Sequence, residues 1–509
     1  MQEIELKFLI NEAHLKGLLR QVQIKSAKKT QMAAYYFDTK KRDLADHNIG
    51  LRIRQEGNDW VQTMKAGGDG LAARLEHNQM LDSQDVQNML VSQALMPELN
   101  LYKTTPMADA LANFSLKKLA KQLTLQYVTD INRTTRLISD NQSQIEVAYD
   151  VGVIKNGMDE AQQSRVHEIE FELLSGDNAF LFETAKQWCK RYKLCLSTIT
   201  KAERGGLLIN HQGFSDPITS RDIFVDLSSD CSPFTFLQKA IQHSLLQILP
   251  NMSAIAEKSS NYRHFEALND GLERLISVLS IAANLSVEMD TNWQAVITDY
   301  AKHFNQQTLE LKRLDNEPNL NRLQNFNSQN INSNETHQED IQTLIDKTSS
   351  LVFQPEFQLT LLDLIAFTMQ SEARAKKVIL AQPKLYKLFD KQLAQINKRL
   401  KKQDIKAKLL SKSSSDDDVL QNLLIWLNQL SHLNDIAKPL FAKDAKAQDT
   451  AYRAYKAKQA LSSYLNQHYY QQYYLKLSQS QPAYLFHSGW FAALANREAK
   501  RAWQALKAL

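Results

Sequence analysis

The hydrophobic period of this chain changes once, between about residue 210 and residue 232, and that change limits what it can fold into. Over roughly the first 210 residues apolar and polar positions alternate in short runs. Beyond about residue 232 apolar residues recur every three or four positions, as in Leu237, Ile241, Leu245 and Ile248, or Leu268, Leu272, Leu275 and Leu279. A period of two belongs to half-buried strands and a period near 3.6 to amphipathic helices. The chain therefore reads as an α+β or barrel domain followed by an all-helical domain, with no strand expected after residue 232. The segment HQGFSDPITSRDIFVDLSSDC (211–231) reads as a linker, and AGGDG (66–70) as the clearest turn between strands. The polar stretches NRLQNFNSQNINSNETHQED (321–340) and SKSSSDDD (411–418) read as loops inside the helical half. A length of 509 residues fits two to four domains at about 150 residues each.

The strands of the first half carry charge on one face. In EIELKF, Glu3, Glu5 and Lys7 share a face opposite Ile4, Leu6 and Phe8. In LRIRQE, Arg52, Arg54 and Glu56 lie opposite Leu51 and Ile53. In IEVAYDV, Glu146 and Asp150 lie opposite Val147 and Tyr149, and in HEIEFELL, Glu168, Glu170 and Glu172 lie opposite Ile169, Phe171 and Leu173. Lys65, Arg74, Glu76, Arg133 and Arg136 extend the set. A solvated sheet face is one account of this. A closed antiparallel barrel is the other, with apolar residues outside under helices and charged residues lining a tunnel. The tunnel explains better why Arg and Glu recur at period two, since Arg is suited to bidentate phosphate recognition. Three glutamates at i, i+2 and i+4 repel, and a divalent cation would relieve them. A polyanion would relieve the Arg and Lys cluster. The two together point to metal-assisted chemistry on phosphates.

Other classes are excluded by composition. No apolar run approaches the length of a membrane helix, and the first residues have no signal-peptide core. Cys189, Cys195 and Cys231 form neither a CxxC pair nor a disulfide framework, which suits a reducing, cytoplasmic setting and leaves no structural zinc site. The net charge of +5 is spread over both halves, with 27 Lys and Arg against 26 Asp and Glu up to residue 210 and 34 against 30 beyond it. Bulk charge therefore argues against a nucleic-acid binder. There is no GxxxxGK[ST] loop and no Ser/His/Asp or Cys/His arrangement for covalent catalysis.

The order of motifs resembles the CYTH, or triphosphate tunnel metalloenzyme, superfamily. ExExK stands at residues 3–7, followed by YFDT (36–39), LRIR (51–54), a strand ending in Lys65, RLE (74–76), Arg133, IEVAYDVG, HEIEFEL and TKAERG (200–205). The resemblance spans residues 1–205 and implies an α+β fold: an eight-stranded antiparallel β tunnel, or barrel, with covering helices. It implies a metal, Mg²⁺ or Mn²⁺, held by Glu3 and Glu5 with Glu168 and Glu170, and with Glu146, Asp150 and Glu172 as further ligands. It also implies that Lys7, Arg52, Arg54, Lys65, Arg74, Arg133 and Lys201 hold the phosphate oxygens, with Glu3, Glu5, Lys7 and Lys65 the catalytic set. Glu56 and Glu76 read as salt-bridge partners of a neighbouring Arg, and Tyr36 and Asp38 as shaping the turn after the second strand. Arg204 reads as a capping residue or as the partner of a surface carboxylate.

The helical half resembles the CHAD domain, an all-α helical bundle that often follows a CYTH domain and is associated with polyphosphate. His264 in YRHFEALNDGLERL stands where that family's motif histidine would stand, flanked by Arg263 and Arg274, but Ala267, Gly271 and Leu272 replace the intervening arginines. LSHLNDIAKP (430–439) and YLFHSGWF (484–491) complete the likeness. Lys384, Lys387, Lys391, Lys398 and Lys402 line one helical face beside Leu385, Phe389, Leu393, Ile396 and Leu400. That face reads as a solvated stripe first and a polyanion rail second, with His264, Lys391, Lys398 and Lys402 as the polyanion-binding set.

The resulting organisation is a tunnel domain over 1–205, a linker over 206–231 and a helical domain over 232–509. The expected activity is hydrolysis of inorganic tripolyphosphate to diphosphate and phosphate, with long-chain polyphosphate as a further partner of the helical half and no membrane partner. The alternatives are an organic triphosphate substrate (thiamine triphosphate, a nucleotide or an RNA 5′ end) and a polyphosphate-binding protein without turnover.

Overall fold

The fold was analysed in a computed structural model, which describes residues 2–67, 73–227, 231–324, 333–371, 382–402, 405–410, 417–441 and 444–509. It forms two compact units. The first comprises Met1–Ile218 with Leu249–His264 and Ser349–Ala366, and the second comprises Thr219–Ile248, Phe265–Thr348 and Phe367–Leu509.

Among the described residues the first unit is built on nine strands, β1 (Gln2–Leu9), β2 (Lys28–Thr39), β3 (Ile49–Glu56), β4 (Asp59–Ala66), β5 (Ala73–Leu81), β6 (Leu123–Ser139), β7 (Gln144–Asn156), β8 (Gln163–Ser175) and β9 (Cys195–Leu196). They form one antiparallel sheet in the order β5-β4-β3-β2-β6-β7-β8-β1-β9. The ninth strand was not anticipated, because its two residues are too short to show alternation. It pairs with Phe8 and Leu9 at the end of β1. β1 is paired on β8 through Glu5–Leu9 and on β5 through Gln2–Ile4.

One face of this sheet is apolar and covered. Phe37, Leu51, Ile53, Trp60 and Met64 pack with Leu99, Tyr102, Met107, Leu111 and Leu119 from the segment between β5 and β6. Phe8 meets Phe171 edge-on at 5.5 Å, and Phe171 meets Trp188 of the helix Asn178–Tyr192 at 5.3 Å. Asp177 caps that helix by accepting a hydrogen bond from the Ala179 amide, and Lys193 ends it at φ 53°.

The other face receives the helix Lys201–Ile209. Ala202 and Leu208 of this helix join Ala34, Tyr36, Tyr127, Ile131, Ile154 and Val166. Thr200 caps its start through the Glu203 amide at 3.0 Å. The approach is close: a Cβ on Gly205 would lie 2.5 Å from the Tyr127 ring. Only a glycine lets the helix sit there.

The second unit is helical, and among the described residues no strand lies beyond Leu196. The anticipated apolar stripes are buried: Leu237, Ile241, Leu245 and Ile248 on one helix, and Leu268, Leu272, Leu275 and Leu279 on the next. Leu320, Tyr470, Tyr474 and Phe491 form a further core, with the Arg313 guanidinium 4.4 Å from the centre of the Tyr473 ring.

Two loop expectations need correcting. The stretch 321–340 is entered by helix from both sides, Thr291–Gln324 and Ser333–Val352, while residues 325–332 lie outside the described residues. The aspartates at the end of SKSSSDDD begin the helix Asp417–Ala437, where acidic residues suit an N-terminus; residues 411–416 lie outside the described residues. Among the described residues no helix is long and apolar enough to cross a membrane.

Candidate active site

Register brings the charged strand faces together in rows. Glu5 of β1, Glu172 of β8 and Glu146 of β7 stand opposite one another on neighbouring strands. Two residues along, Lys7 stands opposite Glu170. Two further, Glu168 stands opposite Asp150, which faces Arg133 of β6. The backbones of Glu3 and Arg74 are partners across β1 and β5. The side chains of Glu3, Arg74 and Glu56 lie outside the described residues.

Within these rows Asp150, Glu168 and Glu170 form a tight carboxylate group, one oxygen of each lying within 4.8 Å of the others. Asp150 and Glu168 are fully buried. Cations interleave with them. The Lys201 ammonium lies 2.8 Å from Asp150 and 3.2 Å from Glu170, and also bonds Glu168. Arg133 donates from Nε and Nη2 to the two oxygens of Asp150 at 2.7 Å and from Nη2 to Glu170 at 2.6 Å. Lys7 stands 3.3 Å from Glu170 and 3.7 Å from Glu168, and its Nζ donates to the Ile199 carbonyl at 3.5 Å. Helix capping by Thr200 and the position of Lys201 in the first turn are what deliver the ammonium to three carboxylates from two neighbouring strands at once.

The electrostatics follow. Burial would push the Glu170 carboxyl up, but Lys201, Lys7 and Arg133 hold it well below the usual range. Burial would push the Lys201 ammonium down, but Glu168, Glu170 and Asp150 hold it well above its ordinary value. In the Glu5–Glu172–Glu146 row the balance is opposite. Burial and then Glu5, with Glu146 and Glu76 adding to them, push the Glu172 carboxyl up against the pull of Lys65.

A second group of cations lies on β3 and β4. Arg52 donates from Nη1 to the Tyr36 hydroxyl at 3.2 Å and stands 4.0 Å from Glu76, and Lys65 pairs with Glu76 at 2.8 Å. Burial raises the Tyr36 hydroxyl, but the adjacent Arg52 reverses this and lowers it. The Arg52 Nε is buried and finds no hydrogen-bond acceptor among the described residues. Arg54 shares the Arg52 face of β3, opposite Ala34 of β2. Asp38 shapes its turn as anticipated, accepting from the Thr39, Leu44 and Ala45 amides.

Several partners were not legible beforehand. Tyr36 belongs with Arg52, which YFDT does not signal. Glu76 meets the expected arginine, Arg52, at 4.0 Å, and pairs more closely with Lys65 at 2.8 Å, which was not foreseen. Arg204 is neither a cap nor a surface residue: it is 7% exposed, bonds Glu257 with both Nη atoms, and brings Nη2 to 3.8 Å from Glu168 Oε2. Its place one turn after Lys201 was the available signal; Glu257, distant in sequence, had none.

The polyanion set is dispersed. His264 lies in the first unit, 1% exposed, with Nδ1 at 3.1 Å from the Asn261 amide and Nε2 at 3.0 Å from the Ser215 carbonyl. Both nitrogens are thus engaged by protein groups. Lys391 and Lys398 are exposed in the second unit on the helix Gln382–Lys402, beside a buried Ile396. The side chains of Lys384 and Lys402 lie outside the described residues. The second unit also gathers Asp270, Glu273 and His432 within ligand distance. There the Lys458 ammonium sits 3.0 Å from both Asp270 and His432.

Comparison with known proteins bears on this arrangement. Residues 1–205 match the CYTH domain. Every strand carrying the charged rows falls inside that CYTH span, as does Lys201. The chain is 32% identical over 222 residues to an inorganic triphosphatase of Haemophilus influenzae, a stretch that is 42% of this chain and 57% of that protein. The chain thus spans little more than half the length of that relative. Among solved structures, a Hippeastrum protein described as having a dominant triphosphatase activity aligns with 40% of this chain and 95% of its own, at 17% identity and a TM-score of 0.28. The CHAD domain from the plant Ricinus communis aligns with 58% of this chain and 97% of its own, at 14% identity and a TM-score of 0.42.

Proposed function

We propose that this chain is a divalent-metal-dependent triphosphatase that cleaves inorganic tripolyphosphate to diphosphate and phosphate. The observation that carries the reading is the charged sheet face, where Asp150, Glu168 and Glu170 alternate with Lys7, Arg133 and Lys201. Burying that many ions is costly unless each has a partner. A site that balances carboxylates and cations in this way is suited to exchange both kinds of partner at once. The resemblance to an inorganic triphosphatase supports the choice of substrate. The pairing of β1 with both β5 and β8 supports reading β1 to β8 as an eight-stranded tunnel.

The donor set suits Mg²⁺ or Mn²⁺, since it offers carboxylate oxygens alone. The crowding that raises the Glu172 carboxyl is what a divalent cation would relieve. Glu5, Glu146, Asp150, Glu168, Glu170 and Glu172 would hold it, with Glu3 beside them. Such an ion neutralises phosphate oxygens and lowers the pKa of bound water.

The chain's own residues would do the rest. Lys7, Arg52, Arg54, Lys65, Arg74, Arg133 and Lys201 take the phosphate oxygens and absorb the charge that grows there as the anhydride bond breaks. Water adds to a terminal phosphorus, diphosphate leaves, and the proton from water passes to a carboxylate of the Glu5 row. In this reading residues 1–205 form the tunnel domain, 206–231 a linker and 232–509 a CHAD-like helical domain. The protein works in the cytoplasm, and Lys391 and Lys398 face solvent as a basic stripe on which long polyphosphate could rest.

Phosphate release from tripolyphosphate, ATP, thiamine triphosphate and long polyphosphate, each with Mg²⁺, Mn²⁺ or EDTA, tests the proposal. Metal-dependent release from tripolyphosphate in preference to the others is expected. Preference for an organic triphosphate would replace the substrate, and retained binding without release from any of them would overturn the enzymatic reading.

A further inference from the structure

The two oxygens of Glu168 are treated unequally. Oε1 takes the Lys201 ammonium and stands 3.7 Å from Lys7. Oε2 is buried and accepts no hydrogen bond among the described residues. Arg204 Nη2 lies 3.8 Å from it, about 1 Å beyond ordinary charge-assisted hydrogen-bond length. Arg204 is held back because both of its Nη atoms are bonded to Glu257. Its Nε is buried without a hydrogen-bond acceptor among the described residues, so Glu257 is its principal anchor.

Glu257 comes from Leu249–His264, a segment of the helical half that packs into the first unit. Its amide donates to the Ser253 carbonyl at 3.0 Å, which continues the last helical turn. The Ser253 hydroxyl in turn accepts from the Thr198 amide at 3.1 Å, next to the Ile199 carbonyl that Lys7 touches. The same short segment therefore meets the site at two points.

A guanidinium freed from Glu257 has a nearby alternative. A small movement would bring Arg204 onto Glu168 Oε2, and Glu168 would then be saturated by Lys201 on one oxygen and Arg204 on the other. We infer that Glu257 is a positioning residue: by holding Arg204, it keeps Glu168 Oε2 open to a divalent cation. This inference rests on the proposed metal-dependent reading of the site.

The test is Mn²⁺ binding to the full chain without substrate, followed by calorimetry or by loss of the free-ion electron spin resonance signal. Alongside it, the metal concentration giving half-maximal phosphate release from tripolyphosphate is measured. E257Q is expected to weaken Mn²⁺ binding about tenfold, the usual scale for disturbing the partner behind a ligand. The activity loss should be recovered at high Mn²⁺, with kcat largely kept. The double variant R204M/E257M removes the competing guanidinium with its anchor, and its Mn²⁺ affinity should return to within about threefold of the unaltered chain.

A purely structural role predicts the reverse order, with the double variant at least as impaired as the single one. That order, or unchanged Mn²⁺ binding in E257Q, would overturn the inference while leaving the triphosphatase reading intact. Absence of Mn²⁺ binding by the unaltered chain would overturn both. Should E257Q fail to fold, E257D carries the same comparison, since its shorter side chain keeps the charge but cannot span both Nη atoms in the same place.

Discussion

Glu5 and Glu172 face each other as register partners across β1 and β8, and Glu146 stands on the far side of Glu172. The consequence is a carboxyl on Glu172 that burial and Glu5 together push up. A raised carboxyl favours the fold while protonated. Its contribution is complete below the ordinary glutamate value and is lost as pH rises through the raised one. Thermal unfolding of the metal-free chain should therefore show stability falling from acid toward neutral pH, E172Q should reduce that slope, and Mg²⁺ should offset the loss at neutral pH. An unchanged slope in E172Q would dismiss the crowding.

Removing Glu5 separates fold from function. E5Q keeps the shape of the side chain and relieves Glu172, so its melting temperature should hold or rise. Phosphate release at ordinary Mg²⁺ should fall by more than about tenfold, the lower range for disturbing the partners of a metal ligand. Undiminished release would remove Glu5 from the metal set.

Lys201 is the cation shared by Asp150, Glu168 and Glu170. K201M leaves those carboxylates short of a partner while the side chain still fills the space. Breaking a buried ion pair from one side costs about 3–5 kcal/mol. Urea unfolding of the metal-free chain should register a loss of that order, reduced by added Mn²⁺. A loss unaffected by Mn²⁺ would mean that no divalent cation replaces the ammonium.

Gly205 tests whether the position of the helix Lys201–Ile209 matters. G205A puts a methyl group 2.5 Å from the Tyr127 ring, so either the ring or the helix must move. Overpacking of this kind costs about 1–3 kcal/mol. Because Lys201 rides on the same helix, activity should fall more than stability alone explains, and phosphate release at a temperature well below the melting point would register it.

In the second unit, burial and then the neighbouring Asp270 push the Glu273 carboxyl up to about 7, against the pull of Lys458. Its contribution to stability is present below about 4.5 and is lost as pH rises to about 7. The side chain keeps 29% exposure, so water softens the penalty, and on the order of 1–2 kcal/mol is a reasonable ceiling. Denaturant unfolding of the full chain between pH 5 and 8 should show the second unit weakening as pH rises, with E273Q flattening the trend.

How far the site could be read in advance depended on how local its causes are. Alternation alone placed Glu5, Arg52, Glu146, Asp150 and Glu168 on charged faces, because side-chain direction in a strand is set by the backbone. The grouping of those residues was not legible. Glu168 and Glu170 were expected with Glu5, yet register sets Glu5 beside Glu172 and Glu146 and gathers Glu168, Glu170 and Asp150 around Lys201. Register depends on turns and bulges, and β7 and β8 shift theirs near Gln144. The Arg204–Glu257 pair was out of reach for a different reason: it joins residues far apart in the chain, and no periodic pattern records such a meeting.

The cap that Thr200 places on the helix Lys201–Ile209 has a last consequence. It fixes an ammonium among carboxylates that a divalent ion would also seek, so the protein supplies its own tenant for the seat. Occupancy by an outside ion is then an exchange, and its apparent strength is the difference between two tenancies. A phosphate chain that draws Lys201 toward its own oxygens would vacate the seat as it arrives. Anion and cation would then each make room for the other, and neither affinity measured alone would report the strength of the pair.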